Sequence, residues 1–243
     1  MMRALRAAAM NAVARITNWG LTALRNGQQL RLSREEIRFS RVSFSQFGED
    51  QAIIEFVDED PSMPKVYVDA GCFHPIHHSN TLLLHKRGWR GVNIDLQPAT
   101  IEAFQLLRPG DVNVVAACSD AEHEMVALSY GAGVTDRLAP VDRPDLPSLL
   151  GERPIAAAPV RTTTLNRILE AHGIGRIGYL NIDCEGHDFE VLKGLDLARY
   201  APAIISIEVD EAGGEVQAHL ERAGYYCRRT YYRTQLYVKR AAA

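Results

Sequence analysis

The chain is short of glycine where a dinucleotide or a nucleoside triphosphate would need it. A dinucleotide-binding turn takes three glycines, so that pyrophosphate can approach the backbone at a helix N-terminus. After the strand Val66-Tyr67-Val68, however, Gly71 stands alone, followed by Cys72, Phe73, His74 and Pro75. No Gly-x4-Gly-Lys-Ser/Thr loop occurs anywhere, which excludes a P-loop. No stretch of about 20 apolar residues exists, so no transmembrane helix is expected, nor is there the uninterrupted apolar core of a secretory signal. The four cysteines, Cys72, Cys118, Cys184 and Cys227, form no CxxC pair, and a reducing cytoplasm is the simpler setting for them. A net charge of −3 lacks the basic excess that a nucleic-acid partner demands, so no such partner is expected.

Acid is missing from one end. Residues 1–34 hold six arginines and no aspartate or glutamate. Leu5, Ala9, Val13, Ile16 and, past a break near Gly20, Leu24 fall at helical spacing, which predicts a basic amphipathic helical extension over residues 1–42. A membrane-surface foot, a homodimerisation arm and an accessory helix packed on the domain all fit it.

What is present is concentrated between Val66 and Asp95. The first strand ends in Asp69-Ala70-Gly71, Ser79-Asn80-Thr81 precede a helix carrying Leu82, Leu83 and Leu84, the helix stops at Arg87-Gly88, and Gly91–Ile94 forms a second strand closed by Asp95. This is one βαβ unit with a carboxylate at each strand end, the layout of a nucleoside-binding half-site. With no diphosphate cradle, a cofactor with a ribose and no phosphates fits best, and S-adenosylmethionine is the common one. Gly71 would let the chain pass close to its methionine portion, and Asp95 would accept hydrogen bonds from the ribose hydroxyls.

The rest alternates between strand and helix, which indicates an α/β protein with a mostly parallel sheet. Ser45 reads as the start of a helix running through Ile53, Ile54, Phe56 and Val57. A helix is expected at Pro98–Leu107, a strand at Val112–Ala117 and another at Met125–Tyr130. Residues 129–160, rich in proline, read as a lid-like loop. Thr164 caps a helix at Leu165–His172, and strands follow at Tyr179–Asp183 and Ala203–Asp210. A helix near Gly214–Ala223 precedes a terminal antiparallel pair, Tyr225–Thr230 with Thr234–Lys239. Ligands in open α/β sheets bind beyond the carboxyl ends of the strands. Those ends carry Asp69 with Gly71, Asp95, Ser119 with Asp120, Asp183 with Glu185 and His187, and Glu208 with Asp210.

These pieces resemble the FkbM family of S-adenosylmethionine-dependent O-methyltransferases. The resemblance rests on Ser45-Gln46-Phe47-Gly48-Glu49-Asp50, Val68-Asp69-Ala70-Gly71, His74-Pro75 with Ser79-Asn80-Thr81, and the run Gly88 to Asp95. It continues in Thr164-Leu165 and in Ile182-Asp183-Cys184-Glu185-Gly186-His187-Asp188 through Val191-Leu192-Lys193-Gly194, and covers roughly residues 43 to 210. Cys72 and Cys184 stand where the family usually has a small aliphatic residue. The resemblance implies a Rossmann-like methyltransferase domain over residues 43–243, with a seven-stranded, mostly parallel sheet, a C-terminal antiparallel hairpin and an added N-terminal helix. It implies methyl transfer to a hydroxyl of a sugar or another small natural product. The expected cofactor-binding residues are Asp69, Gly71, Asn80, Asp95, Ser119 and Asp120, and His74 and Glu185 are expected at the acceptor. A hydroxyl needs help to lose its proton. His187 or Asp183 is the expected general base, or a divalent ion such as Mg2+ held by Asp183, Glu208 and Asp210 lowers the hydroxyl pKa instead.

The group His74, His77, His78 and His85 with Cys72 suggests zinc, but its spacing matches no closed four-ligand pattern, and His77 and His78 are expected to point apart. A metal-dependent hydrolase built on the histidine and carboxylate clusters is the competing enzyme class, and a scaffold without activity is the third. Tyr225, Tyr226, Tyr231, Tyr232 and Tyr237 read either as a sugar-stacking surface or as sheet packing.

Overall fold

A computed structural model describes residues 21–25, 28–130, 136–141, 154–209 and 214–240. The chain divides into two compact units, Met1–Ser43 and Phe44–Ala243.

In the first unit, Leu21–Arg25 (β1) pairs antiparallel with Gln28–Leu32 (β2), Arg25 opposite Gln28. Leu24 therefore lies in a strand and not on the expected basic helix. Asn26-Gly27, between the strands in sequence, is the stronger local signal, since that dipeptide favours a two-residue hairpin turn. Residues 1–20, the rest of that expected helix, lie outside the described residues. Arg34–Phe39 forms α1, started by a capping box: the Glu36 amide donates to Ser33 Oγ at 3.2 Å, and the Ser33 amide donates to the Glu36 carboxylate at 2.7 Å.

The second unit begins with helix α2 (Glu49–Glu59) and strand β3 (Val66–Ala70). Next come α3 (Leu82–Lys86), β4 (Arg90–Asp95), α4 (Pro98–Leu107) and β5 (Val112–Val115). Strands β6 (Ala117–Cys118), β7 (Glu124–Ser129), β8 (Arg137–Pro140) and β9 (Ala156–Thr163) follow. After them the chain runs through α5 (Leu165–Ala171), β10 (Tyr179–Ile182), α6 (Asp188–Lys193), α7 (Leu197–Tyr200) and β11 (Ile204–Glu208). It closes with α8 (Gly214–Arg222), β12 (Tyr225–Tyr231) and β13 (Thr234–Lys239).

Seven strands form one sheet in the order β12-β13-β11-β10-β3-β4-β5. The sheet is mixed: β13 runs antiparallel to both β11 and β12, while β3, β4, β5, β10 and β11 are parallel. The α/β class and the terminal antiparallel pair are as the sequence predicts. Alternate side chains along the central strands supply two cores, as a period of two requires. Val68, Ala70, Leu180 and Ile182 pack with Leu165, Leu169, Val191 and Leu192 of α5 and α6 on one side. Tyr67 and Tyr179 pack with Ile53 and Phe56 of α2 and Leu84 of α3 on the other. Burial on both faces explains why these strands read as near-continuous apolar runs.

A second sheet, in the order β6-β9-β7-β8, departs from the sequence reading. The expected strand Val112–Ala117 is broken at Ala116, so that β5 joins the main sheet and β6 pairs with β9. The expected lid-like loop likewise contains β8 and the first part of β9, held by pairing with β7 at Met125 to Pro140 and Val126 to Pro159. Non-local pairing has overridden its proline-rich composition. Residues 131–135 and 142–153 of that segment lie outside the described residues. No helix among the described residues is long and apolar enough to cross a membrane.

Candidate active site

The carboxyl ends of β3, β4 and β10 open into one cleft that encloses about 1140 Å³ of empty space, open to solvent. It sits where the strand order reverses, with β4 on one side of β3 and β10 on the other, the usual ligand position in such sheets. The two central strand ends approach closely: a Cβ on Gly71, whose φ is +79°, would lie 1.8 Å from the Asp183 carbonyl oxygen. Gly71 is thus demanded by the neighbouring backbone as well as by its left-handed conformation. Phe73, His78 and Glu185 also adopt positive φ, at 46°, 54° and 52°, and all three line the cleft. Strained backbone held at a cleft is a mark of functional sites.

Asp69 is 2 % exposed at the cleft floor, and both its oxygens are engaged. Thr81 Oγ1 donates to Oδ2 at 2.7 Å, and Asn181 Nδ2 donates to Oδ1 at 2.8 Å. Thr81 therefore stands before α3 without capping it, because its hydroxyl faces inward. Behind it lies Arg108, 1 % exposed, which donates to Thr81 Oγ1 (2.8 Å), Ser79 Oγ (2.9 Å) and the Pro75 carbonyl (2.6 Å). Asn80 Nδ2 donates to Asn181 Oδ1 at 3.1 Å, which leaves Asn80 Oδ1 buried with no hydrogen-bond partner among the described residues. Asp95 accepts the backbone N–H groups of Gln97 (2.7 Å) and Phe73 (3.1 Å). Burial outweighs those bonds and pushes its carboxyl up to about 6, with Asp136 and Asp69 adding to the rise.

On the opposite wall stand Asp183, Glu185 and His187, in the turn between β10 and α6. Asp183 keeps more than a third of its surface open and lines this acidic cleft. Enclosure, and then the facing carboxylates of Asp188, Glu208 and Glu185, hold its carboxyl well above the ordinary range. Glu185 is pushed up to about 7, by burial first and Glu208 next, while Arg137, 4.0 Å away, pulls it down. His187 Nε2 lies 2.9 Å from Ser119 Oγ, and burial lowers the imidazole pKa, which favours the neutral ring.

Of the residues singled out in the sequence, Asp69, Gly71, Asn80, Asp95, Asp183, Glu185 and His187 line the cleft. Ser119, Asp120, His74 and Glu208 do not. Ser119 is buried behind His187, and Asp120 pairs with His123 and Lys193. His74 Nδ1 accepts the N–H groups of Ile76 and His77, each at 3.0 Å, which closes its own loop. Glu208 is held by Arg233 at 3.3 Å. The sequence reading gave no site role to Glu49, Asn181 and Asp136, which also line the cleft. Asn181 is a polar residue inside an apolar strand, a signal that could have found it, and Glu49 lies in the Ser45–Asp50 run that reads as a helix start and carries part of the family resemblance without a site role. Asp136 carried no signal.

The metal expectations change. Asp183, Asp188 and Glu208 can bring carboxylate oxygens within 4.8 Å of one another, and Asp210 lies outside the described residues. This set suits a divalent ion poorly. Asp188, 5 % exposed, already accepts the N–H groups of Cys184 (2.8 Å) and Gly186 (2.9 Å), and Glu208 has Arg233. No histidine belongs to any metal-holding group among the described residues. The rings of His77 and His78 stack with centroids 3.8 Å apart instead of pointing away from each other, since the left-handed backbone at His78 turns its ring back. The hydrolase alternative therefore has no histidine-containing ligand set among the described residues. The tyrosines divide in the same way: Tyr225 and Tyr237 are buried, Tyr226 and Tyr232 exposed, so they form no common surface.

A family model described as the methyltransferase FkbM domain matches residues 69–227, well over half of the chain. The chain belongs to the FkbM methyltransferase family. Searches of curated proteins and of solved structures found no match. The FkbM match takes in Asp69, Asp95, Asp183 and His187 and begins after Gln46 and Glu49. S-adenosylmethionine is the usual methyl donor of such methyltransferases.

Proposed function

We propose that this methyltransferase uses S-adenosylmethionine to methylate a hydroxyl of a small polar acceptor, with a sugar as the leading candidate. The observation that carries the reading is the charge of the cleft. Glu49, Asp69, Asp95, Asp136, Asp183 and Glu185 line it, and among the described residues no lysine or arginine does. Such a lining repels phosphates and favours a cation, and S-adenosylmethionine is a sulfonium without phosphates. The buried, unpartnered Asn80 Oδ1 supplies an acceptor for one of its donors. Asp95, at the end of β4, is suited to the ribose hydroxyls, since each of its oxygens keeps a lone pair beyond the bonds from Phe73 and Gln97.

Bound there, the cofactor supplies an electrophilic methyl group; the protein must place the acceptor and remove its proton. Glu185 and Asp183 support a hydroxyl acceptor, because both carboxyls line the cleft, and Glu185, pushed up to about 7, is matched to general-base work. His187 has one nitrogen engaged by Ser119, so in this reading it orients the wall and Asp183 takes the proton. No step is assigned to a metal.

The test is incubation with methyl-labelled S-adenosylmethionine and a panel of monosaccharides, nucleotide sugars and small polyols, read by mass spectrometry. Label on a hydroxyl oxygen supports the reading. Label found only on amines or carboxylates contradicts the hydroxyl assignment.

A further inference from the structure

Resting on the S-adenosylmethionine reading, we propose that Glu49 is the counter-ion for the amino group of the cofactor's methionine portion, with Asn80 Oδ1 as its second acceptor. Glu49 opens α2 and is 2 % exposed, yet it lines the cleft. Among the described residues only the Phe47 N–H donates to it, at 2.8 Å. A carboxylate so buried, with one neutral donor, calls for a cation, and no lysine or arginine among the described residues lines the cleft to provide one.

The orientation of Asn80 is set from below. Asp69 accepts only, so Asn181 must present its Nδ2 to it and its Oδ1 to the other side. Asn80 must then give its own Nδ2 to that oxygen, which directs Asn80 Oδ1 away from Asn181 and leaves it without a partner. The chain from Asp69 through Asn181 to Asn80 thus delivers a fixed acceptor. Glu49 lines the same cleft as His78, Asn80 and Asn181. A primary ammonium, with three donors and no acceptor, matches these oxygens.

The test is calorimetric titration of the full chain with S-adenosylhomocysteine and with its analogue carrying hydrogen in place of the amino group. The wild type should bind the analogue about tenfold more weakly or worse. Glu49→Gln, which keeps an acceptor for the Phe47 N–H, should lose about tenfold for S-adenosylhomocysteine and nothing for the analogue. Asn80→Ala should narrow the same gap, and it serves if Glu49→Gln does not fold. Equal losses for both ligands, or unchanged affinity for S-adenosylhomocysteine in a folded Glu49→Gln protein, would overturn the proposal. A wild type that binds neither ligand would instead remove the S-adenosylmethionine reading beneath it.

Discussion

Ser119 Oγ lies 2.9 Å from His187 Nε2, which ties the histidine before α6 to the strand end beside it. Asp183, at the end of β10, has no such tether among the described residues and lines the cleft. Asp183→Asn should therefore lower kcat about 100-fold or more while leaving S-adenosylhomocysteine affinity within about threefold. His187→Gln should cost about tenfold or less. The reverse ranking in steady-state kinetics would return the base to His187.

Gly71 and Gly88 both have left-handed backbone, but only Gly71 faces a wall. Gly88→Ala meets open space, so it should cost only the conformational strain, about 1–2 kcal/mol. Gly71→Ala must also move the Asp183 backbone, and a loss of about 3 kcal/mol or more is expected. Urea denaturation of the two variants checks the difference; equal losses would mean that the two strand ends yield easily.

Arg108 ties Pro75, Ser79 and Thr81 together from beneath, and so holds the segment that carries His78 and Asn80 to the cleft. Arg108→Met leaves three buried acceptors short of a donor, and should cost about 3 kcal/mol or more. Cofactor affinity should fall with it even at temperatures where the variant is folded. A destabilised variant that binds S-adenosylhomocysteine normally would separate the clamp from the site.

Burial pushes Glu185 up to about 7, and Asp95 and Asp188 up to about 6. A raised carboxyl favours the folded state in its protonated form. That contribution is complete below the unfolded value of about 4 and is lost as pH rises through the folded values. The melting temperature of the free protein should therefore fall between about pH 5 and about pH 8, and Glu185→Gln should flatten that slope. The newly ionised cleft should also hold a cation better, so the affinity for S-adenosylmethionine should rise relative to S-adenosylhomocysteine over the same range. Melting curves and titrations at the two ends check both signs; a rising melting temperature or a constant affinity ratio would contradict them.

Much of the fold was legible because local and tertiary signals agree. Strands covered on both faces, such as Ile204–Glu208, read as apolar runs, and Thr164 announces α5 with a cap that the structure contains, its side chain accepting from the Arg167 amide at 3.2 Å. The cleft floor was legible for a related reason: one acid at a strand end is an ordinary turn former, but several strand ends carrying acids converge on the rim where such sheets bind ligands. Where long-range partners decide, the sequence said little. Ala156–Thr163 becomes a strand only because β7 and β6 are there to pair with it. Thr81 carried the signature of a cap and instead turns inward to Asp69. Arg108 could not be told from a surface arginine, because its partners lie some thirty residues earlier, in the turn from Pro75 to Thr81.

In the reading proposed above, the acidic cleft holds a phosphate-free adenosine cofactor against Asp95. The measurement that tests it most directly is calorimetric titration of S-adenosylhomocysteine into the wild type and into Asp95→Ala, with ATP as the anionic control. The wild type should bind at micromolar concentration, a folded Asp95→Ala protein about tenfold more weakly or worse, and ATP should give no heat. Absence of S-adenosylhomocysteine binding, or unchanged binding by Asp95→Ala, would contradict it.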